Sequence, residues 1–293
     1  MLAGVASLLT DHPAGVGGIA VHPLPLASPD DAVPRGTFVL VDEVATWLRD
    51  ADRVVVLTGA GMSTASGIPD YRGPQGVWTR DPAAERRSSI DVWLTEPDTR
   101  RDIWRERLAG AGLRPRPNAA HVALAELERL GRLDTLVTQN TDGLHQDAGN
   151  DPDRVVEIHG TNRFVHCLDC GDRHPMPAVL ERVADGDDDP HCTRCGGLLK
   201  AATVSFGQPL DPARLQRAHD AAVGCEVFLA LGTSLAVHPV ALLPRTALEA
   251  GARLVVANAE PTPYDRVADA VLADDLVEVV PALVERVRAT SAG

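Results

Sequence analysis

The chain has 293 residues, 44% of them hydrophobic, enough apolar material for one large α/β core and a smaller second module. Its formal net charge of -13 argues against binding duplex nucleic acid, which calls for a basic surface. With 3% aromatic residues, there is also little from which to build a stacking platform for single-stranded bases.

Residues 1–36 carry Pro13, Pro23, Pro25, Pro29 and Pro34 among several glycines, a mixture that disfavours regular structure, and read as a flexible N-terminal leader with His12 and His22 solvated. The apolar run from Leu2 to Leu9 follows no basic segment and is too short to cross a bilayer, so the expectation is a cytoplasmic protein without a membrane partner. A helix over residues 42–50 leads into a strand over 53–58, which runs directly into Gly59-Ala-Gly-Met-Ser63. Gly59 and Gly61 lack a Cβ, and a following helix would aim its N-terminus at the same spot, which is how a nucleotide pyrophosphate is held. The same Gly-x-Gly also fits a plain strand-to-helix turn, and Thr64 stands where the third glycine of a dinucleotide fingerprint falls.

Further strands are expected over 133–138, 155–158, 227–231 and 254–257, near-continuous Val and Leu runs of the kind buried on both faces of a parallel sheet. Helical stretches lie between them. The clearest spans 118–130, with Asn118 as its cap, Leu124, Leu127 and Leu130 on one face, and Gly131 after its end. This alternation predicts a Rossmann-like, doubly wound α/β domain whose ligands sit beyond the carboxyl ends of the strands. Gly59, Gln139, His159, Gly232 and Asn258 all fall there. The expected organisation is a nucleotide-binding domain from residues 37–72, 116–159 and 205–293, a helical insertion over 73–115 and a zinc-ribbon module over 160–204, the last two forming a second lobe.

Cys167-Leu-Asp-Cys170 and Cys192-Thr-Arg-Cys195 form two Cys-x-x-Cys pairs, the spacing of a tetrahedral zinc site. Four thiolates leave the ion no open position, so one structural Zn2+ per chain is expected. His166, His174 and His191 are then surplus, and the Asp run at 187–189 reads as a solvated loop tip. Cys225, among Gly224 and Val227, reads as a small buried apolar residue. His159 lies between Ile158 and Gly160 after a strand and is the candidate proton acceptor, because imidazole exchanges a proton near neutrality. His145 reads as structural. Asp142 fits equally a loop-former that satisfies backbone N–H groups and a ligand contact.

In its motifs and their order the chain resembles the sirtuins, the NAD-dependent protein deacylases, in their bacterial form. Gly59-Ala-Gly-Met-Ser63, Gly67-Ile-Pro-Asp-Tyr-Arg72, Thr138-Gln-Asn-Thr-Asp142, His159-Gly160, the cysteine pairs, Phe206-Gly207, Gly232-Thr-Ser234 and Asn258 carry the resemblance over roughly residues 40–285. It implies a Rossmann-type domain with a zinc-ribbon and helical lobe, and a cleft in which NAD meets an acyl-lysine protein or peptide. It implies NAD contacts for Gly59, Ala60, Gly61, Ser63, Ile68, Asp70, Tyr71, Arg72, Gln139, Gly232, Thr233, Ser234 and Asn258. Catalytic roles are implied for His159, Asn140 and Asp142, with His159 as general base, and substrate contacts for Val204, Phe206 and Gly207 on a strand edge to which the peptide adds. The implied products are nicotinamide, free lysine and O-acyl-ADP-ribose.

The segment Ala201-Ala-Thr-Val-Ser-Phe-Gly-Gln208 departs from the family in lacking the Pro-Asp and the acidic residue that commonly flank Phe-Gly. Members that take acidic acyl groups carry a Tyr with an Arg three residues later. Here Tyr71 and Tyr264 have Pro74 and Val267 at that spacing, so a neutral acyl group is expected. Two other functions fit the same motifs: mono-ADP-ribosyl transfer from the same cofactor site, and a zinc-ribbon interaction protein that senses NAD without turnover.

Overall fold

The computed structural model describes residues 38–290 of the chain, so expectations for the leader lie outside the described residues. Nine strands are present among them: β1 (Val54–Thr58), β2 (Thr135–Thr138), β3 (Val155–Glu157), β4 (Gly160–Cys167), β5 (Arg173–Pro175), β6 (Leu199–Thr203), β7 (Val227–Leu231), β8 (Arg253–Ala257) and β9 (Ala270–Leu272). Six form a parallel sheet in the order β3-β2-β1-β7-β8-β9. Every residue of β1, β2 and β7 is buried, which is why these strands are apolar runs with no alternation. On one face Leu48, Leu124 and Leu283 of the flanking helices pack with Val56, Leu229 and Val255. The helix Leu243–Glu249 lies against β7 and β8, with the helix Pro212–Gly224 beside it.

Strand order reverses between β1 and β7, so a crevice opens beyond their carboxyl ends. Local chemistry fixes the elements around it. The helix Ala119–Arg129 starts where expected, with the Asn118 side chain accepting from Ala120 N and His121 N and the His121 ring closing the box, a cap worth about 1 kcal/mol. Gly131 follows in a left-handed conformation. Strand β9, only three residues long at the sheet edge, has no counterpart in the expected elements.

The smaller, antiparallel sheet has the order β5-β4-β6 and packs with the helix Met176–Ala184 and the insertion. That insertion folds as four helices, Val77–Arg80, Pro82–Arg87, Ile90–Thr95 and Pro97–Gly110. Trp93 and Trp104 meet edge to face at 5.7 Å and bury with Val165, Val179 and Leu199. The acidic loop before Cys192 is solvated at Gly186 and Asp188 but not at Asp189. Asp189 accepts from Arg100 Nε at 2.7 Å and Nη2 at 2.6 Å, and Arg100 Nη1 donates to Trp93 O at 2.7 Å. Desolvation of a guanidinium needs a partner of that quality, and Asp189 provides it from far along the chain.

Candidate active site and metal centre

A cleft of 1580 Å³ opens at the strand ends, larger than a single small ligand needs. Gly59, Ala60, Gly61, Gly232, Thr233, Ser234 and Asn258 line one end of it. The glycines at Gly59 and Gly61 also have a packing role. A Cβ on Gly59 would stand 2.7 Å from Gly232 O, and one on Gly61 2.9 Å from Gly232 Cα. Gly61 N also donates to Gly232 O at 2.9 Å. The missing side chains therefore let the loops after β1 and β7 close on each other. The helix expected after Gly59 is of the 3-10 kind, Ala60–Ser66.

Among the described residues, the backbone N–H groups of Ala60, Thr233 and Ser234 find no protein acceptor. Unpaired donors on two abutting loops at the strand ends are the donor set that a pyrophosphate requires, so the residues present fit a dinucleotide.

His159 occupies the turn between β3 and β4 and lines the cleft. Its Nδ1 lies 3.2 Å from Gln139 O, a carbonyl, so Nδ1 carries the proton and donates, leaving Nε2 as a lone-pair acceptor. Burial lowers its pKa from the ordinary value and the bond to Gln139 O partly offsets this, so the ring is neutral at pH 7. Gly160 next to it has φ +78, and a Cβ there would lie 2.1 Å from Ala202 O. Only glycine lets β6 come that close to the histidine. Val204 N donates to His159 O at 2.8 Å and seals the junction.

Beneath the cleft wall runs a polar network. Asn140 Nδ2 donates to Gly59 O at 2.9 Å and to Ser63 Oγ at 3.1 Å, and Ser63 Oγ donates to Asp142 Oδ2 at 2.7 Å. Asp142 Oδ1 accepts from Leu144 N at 2.9 Å. Ser63 and Asp142 are thus off the cleft surface, and Asp142 acts here as a loop-former whose other oxygen holds Ser63. Gln139 Nε2 donates to Thr233 Oγ1 at 2.9 Å. Ile68 lines a smaller adjoining recess, shared with Asp70.

At the other side Tyr71, Trp78 and Phe206 form an aromatic row, with ring centroids 4.7 Å and 5.4 Å apart, and the Arg72 guanidinium sits 4.4 Å from the Trp78 ring. Val204, Phe206 and Gly207 line the cleft with them. The expected strand edge is partly taken. Phe206 N donates to Ser88 O and Phe206 O accepts from Ile90 N, so its backbone is paired with the helical insertion and its ring is what the cleft sees.

Cys167, Cys170, Cys192 and Cys195 converge with all four sulfurs within 4.8 Å of one another. Cys167 Sγ lies 3.5 Å from Cys195 Sγ, and Cys170 Sγ 3.8 Å from Cys192 Sγ. Sulfurs about 2.3 Å from a tetrahedral zinc stand roughly 3.8 Å apart, so the set fits the ion. Two matching knuckles build it: Gly171 N donates to Cys167 O and Gly196 N to Cys192 O, with both glycines left-handed. Cys225 is buried, and the four-sulfur set uses neither it nor His166 or His191.

The model of the Sir2 family matches residues 59–239. This chain is a member of that family, the sirtuins. An NAD-dependent protein deacetylase 2 of Streptomyces coelicolor is 53% identical to it over 230 residues, 78% of this chain and 95% of that one. An NAD-dependent protein deacetylase of Haloarcula marismortui is 46% identical over 84% of this chain and 94% of the relative. Among solved structures, a Sir2 protein with a deacetylated p53 peptide and 3′-O-acetyl ADP-ribose superposes with TM-score 0.76 at 33% identity, covering 84% of this sirtuin and 97% of that chain. A Sir2 complex with p53 peptide and NAD+ superposes at 0.73 and 33% identity, covering 85% and 98%.

Proposed function

We infer that this sirtuin is an NAD-dependent protein-lysine deacylase, most simply a deacetylase, that releases nicotinamide and O-acyl-ADP-ribose and works in the cytoplasm. The observation that carries this reading is His159: a buried, neutral imidazole in the cleft whose Nδ1–H is fixed by Gln139 O and whose Nε2 is therefore a base. When bound, NAD supplies the ADP-ribose that accepts the acyl group as nicotinamide departs.

The chain's own groups do the rest. Ala60, Thr233 and Ser234 N–H groups would hold the pyrophosphate, and Asn258, at the end of β8, the far ribose. Asn140 has both amide protons committed to Gly59 O and Ser63 Oγ, which leaves its Oδ1 to face positive charge that develops on the near ribose. Because that oxygen is fixed before the reaction, stabilisation costs no reorganisation. His159 Nε2 would take the proton of the ribose hydroxyl that attacks the acyl carbon. Tyr71, Trp78 and Phe206 offer an apolar wall for the aliphatic stem of the acyl-lysine, with Val204 and Gly207 beside it. The four-cysteine zinc holds the small sheet and has no open position for chemistry.

Incubation with NAD and an acetyl-lysine peptide tests this. Nicotinamide and O-acetyl-ADP-ribose should appear in equal amounts. ADP-ribose attached to protein would point to transferase activity, and intact NAD with peptide unchanged would leave a binding protein.

A further inference from the structure

Beside the four-cysteine centre lies a second set of ligand atoms. A carboxylate oxygen of Asp172, a ring nitrogen of His174 and Cys192 Sγ stand within 4.8 Å of one another, and Cys192 alone of the four cysteines belongs to both sets. The backbone holds all three in place. Asp172 O accepts from Cys167 N at 2.8 Å at the first knuckle, and Cys192 N donates to Gly197 O at 2.8 Å at the second. His174, surplus to the four-sulfur set, is the middle residue of β5 and pairs with Val165 of β4. Its neighbours Arg173 and Pro175 are exposed while it is half-buried, so by the alternation of a strand its ring faces inward, on the side of the buried Val165.

These atoms do not satisfy one another. His174 Nε2 is covered from solvent and makes no hydrogen bond, whereas a buried ring nitrogen ordinarily has a partner. Asp172 Oδ2 lies 3.5 Å from it, beyond the usual length of a hydrogen bond. That separation is instead close to the edge, about 3.4 Å, of a tetrahedron whose nitrogen and oxygen each stand about 2.1 Å from zinc. Imidazole, carboxylate and thiolate are the three ligand types that zinc-class ions take, and Mg2+ or Ca2+ would want oxygen throughout. A thiolate already bound to one zinc keeps lone pairs on sulfur with which to reach a second ion. The Asp172 side chain is 32% exposed, which gives an ion its way in.

We propose that Asp172, His174 and Cys192 form a second site for a zinc-class divalent cation, with the Cys192 thiolate bridging to the structural zinc and one position left to water. Three ligands, one of them shared, hold an ion less tightly than four thiolates do. The protein therefore purifies with the structural ion alone and takes the second when zinc is in excess. Bound there, the ion ties β5 to the loop that carries Cys192. The site stands apart from the deacylase reading, since none of its three residues lines the cleft.

Calorimetric titration of Zn2+ into the full chain, without a tag and already carrying its one zinc, tests this, with zinc content measured before and after. The wild type should take up one further ion per chain. His174→Phe and Asp172→Asn should each keep the first zinc and bind the second at least about tenfold more weakly, because loss of even an outer partner of a metal costs that much. Co2+ added to the zinc-loaded wild type should show the near-ultraviolet charge-transfer absorption of a thiolate–cobalt bond while the zinc content stays at one, which identifies Cys192 as a ligand. No second ion in the wild type overturns the proposal, as does a second-ion affinity that either variant leaves unchanged. Cobalt uptake without the thiolate band overturns it too. Loss of the first zinc in either variant would make that residue part of the structural centre and remove the second site.

Discussion

Ser63 Oγ donates to Asp142 Oδ2 at 2.7 Å, tying the turn after β1 to the loop after β2 beneath the floor of the cleft. The same serine receives Asn140 Nδ2, so the orientation of the Asn140 carbonyl depends on a carboxylate that the cleft does not expose. Asp142→Ala strips the acceptor from both the Ser63 hydroxyl and Leu144 N–H, groups that cost about 1–3 kcal/mol each when left buried and unpaired. The expected outcome is a fall of at least tenfold in kcat with a lowered Tm. An Asp142→Ala protein with wild-type kcat would show that the network does not position Asn140.

Much of this site could be read from the sequence because its parts are short-range. Gly59-Ala-Gly61 follows a run of buried valines, Asn118 caps a periodic helix, and each cysteine pair closes a knuckle within a few residues. Each was visible because local spacing determines local geometry. The misread parts depend on partners distant in the chain. Asp189, at the end of an acidic run, looks solvated until the fold delivers Arg100, and the packing of Gly59 against Gly232 cannot be seen from the turn alone. Strand β9 was invisible because three residues carry no period.

The Arg100–Asp189 pair joins the helical insertion to the loop before Cys192, with the two side chains 6% and 13% exposed. Asp189→Ala leaves the guanidinium buried without a counter-charge and should destabilise by about 3–5 kcal/mol. Replacing both partners with apolar residues, as in Arg100→Met with Asp189→Leu, removes the charge altogether and should be milder than the single change. Chemical denaturation of the wild type, Arg100→Met, Asp189→Leu and the double variant forms the cycle. A single variant as stable as the wild type would show that the pair contributes nothing.

Elemental analysis of freshly purified protein should give one zinc per chain. Cys170→Ser should lose it and expose the small lobe to proteolysis, because the two knuckles have only the ion between them. Retention of full zinc by that variant would mean that the ion sits elsewhere.

Two further histidines are buried side by side behind the site. The rings of His121 and His145 are 4.9 Å apart, with His145 Nε2 against Thr58 Oγ1 at 3.0 Å. Burial pulls His121 down to about 4 and His145 well below its ordinary value, where the two rings also oppose each other's charge. A histidine whose folded pKa is depressed keeps its full contribution above the unfolded value near 6.5 and loses it as pH falls, because the unfolded chain takes up the proton first. Stability should therefore decline from about pH 6.5 toward 4, by about 1.4 kcal/mol per pH unit for each proton taken up. His121→Gln should flatten that decline in denaturant titrations; an unchanged slope would assign it to other groups.

His159 titrates in the same direction but should be read out by rate. Its folded pKa lies below 6.5 because burial disfavours the imidazolium, and general-base action needs the neutral ring. From pH 8 down to 6.5 kcat/KM should hold nearly level, then drop on an acid limb whose midpoint lies below 6.5. Stopping each assay short of the unfolding seen with His121 and His145 separates the two effects, since a pre-incubation at low pH followed by assay at pH 7.5 restores rate lost to protonation but not to irreversible unfolding. His159→Ala should abolish deacylation at every pH while NAD still binds. Persistence of the acid limb in a weakly active His159→Ala protein would assign the limb to another group and remove this histidine as the base.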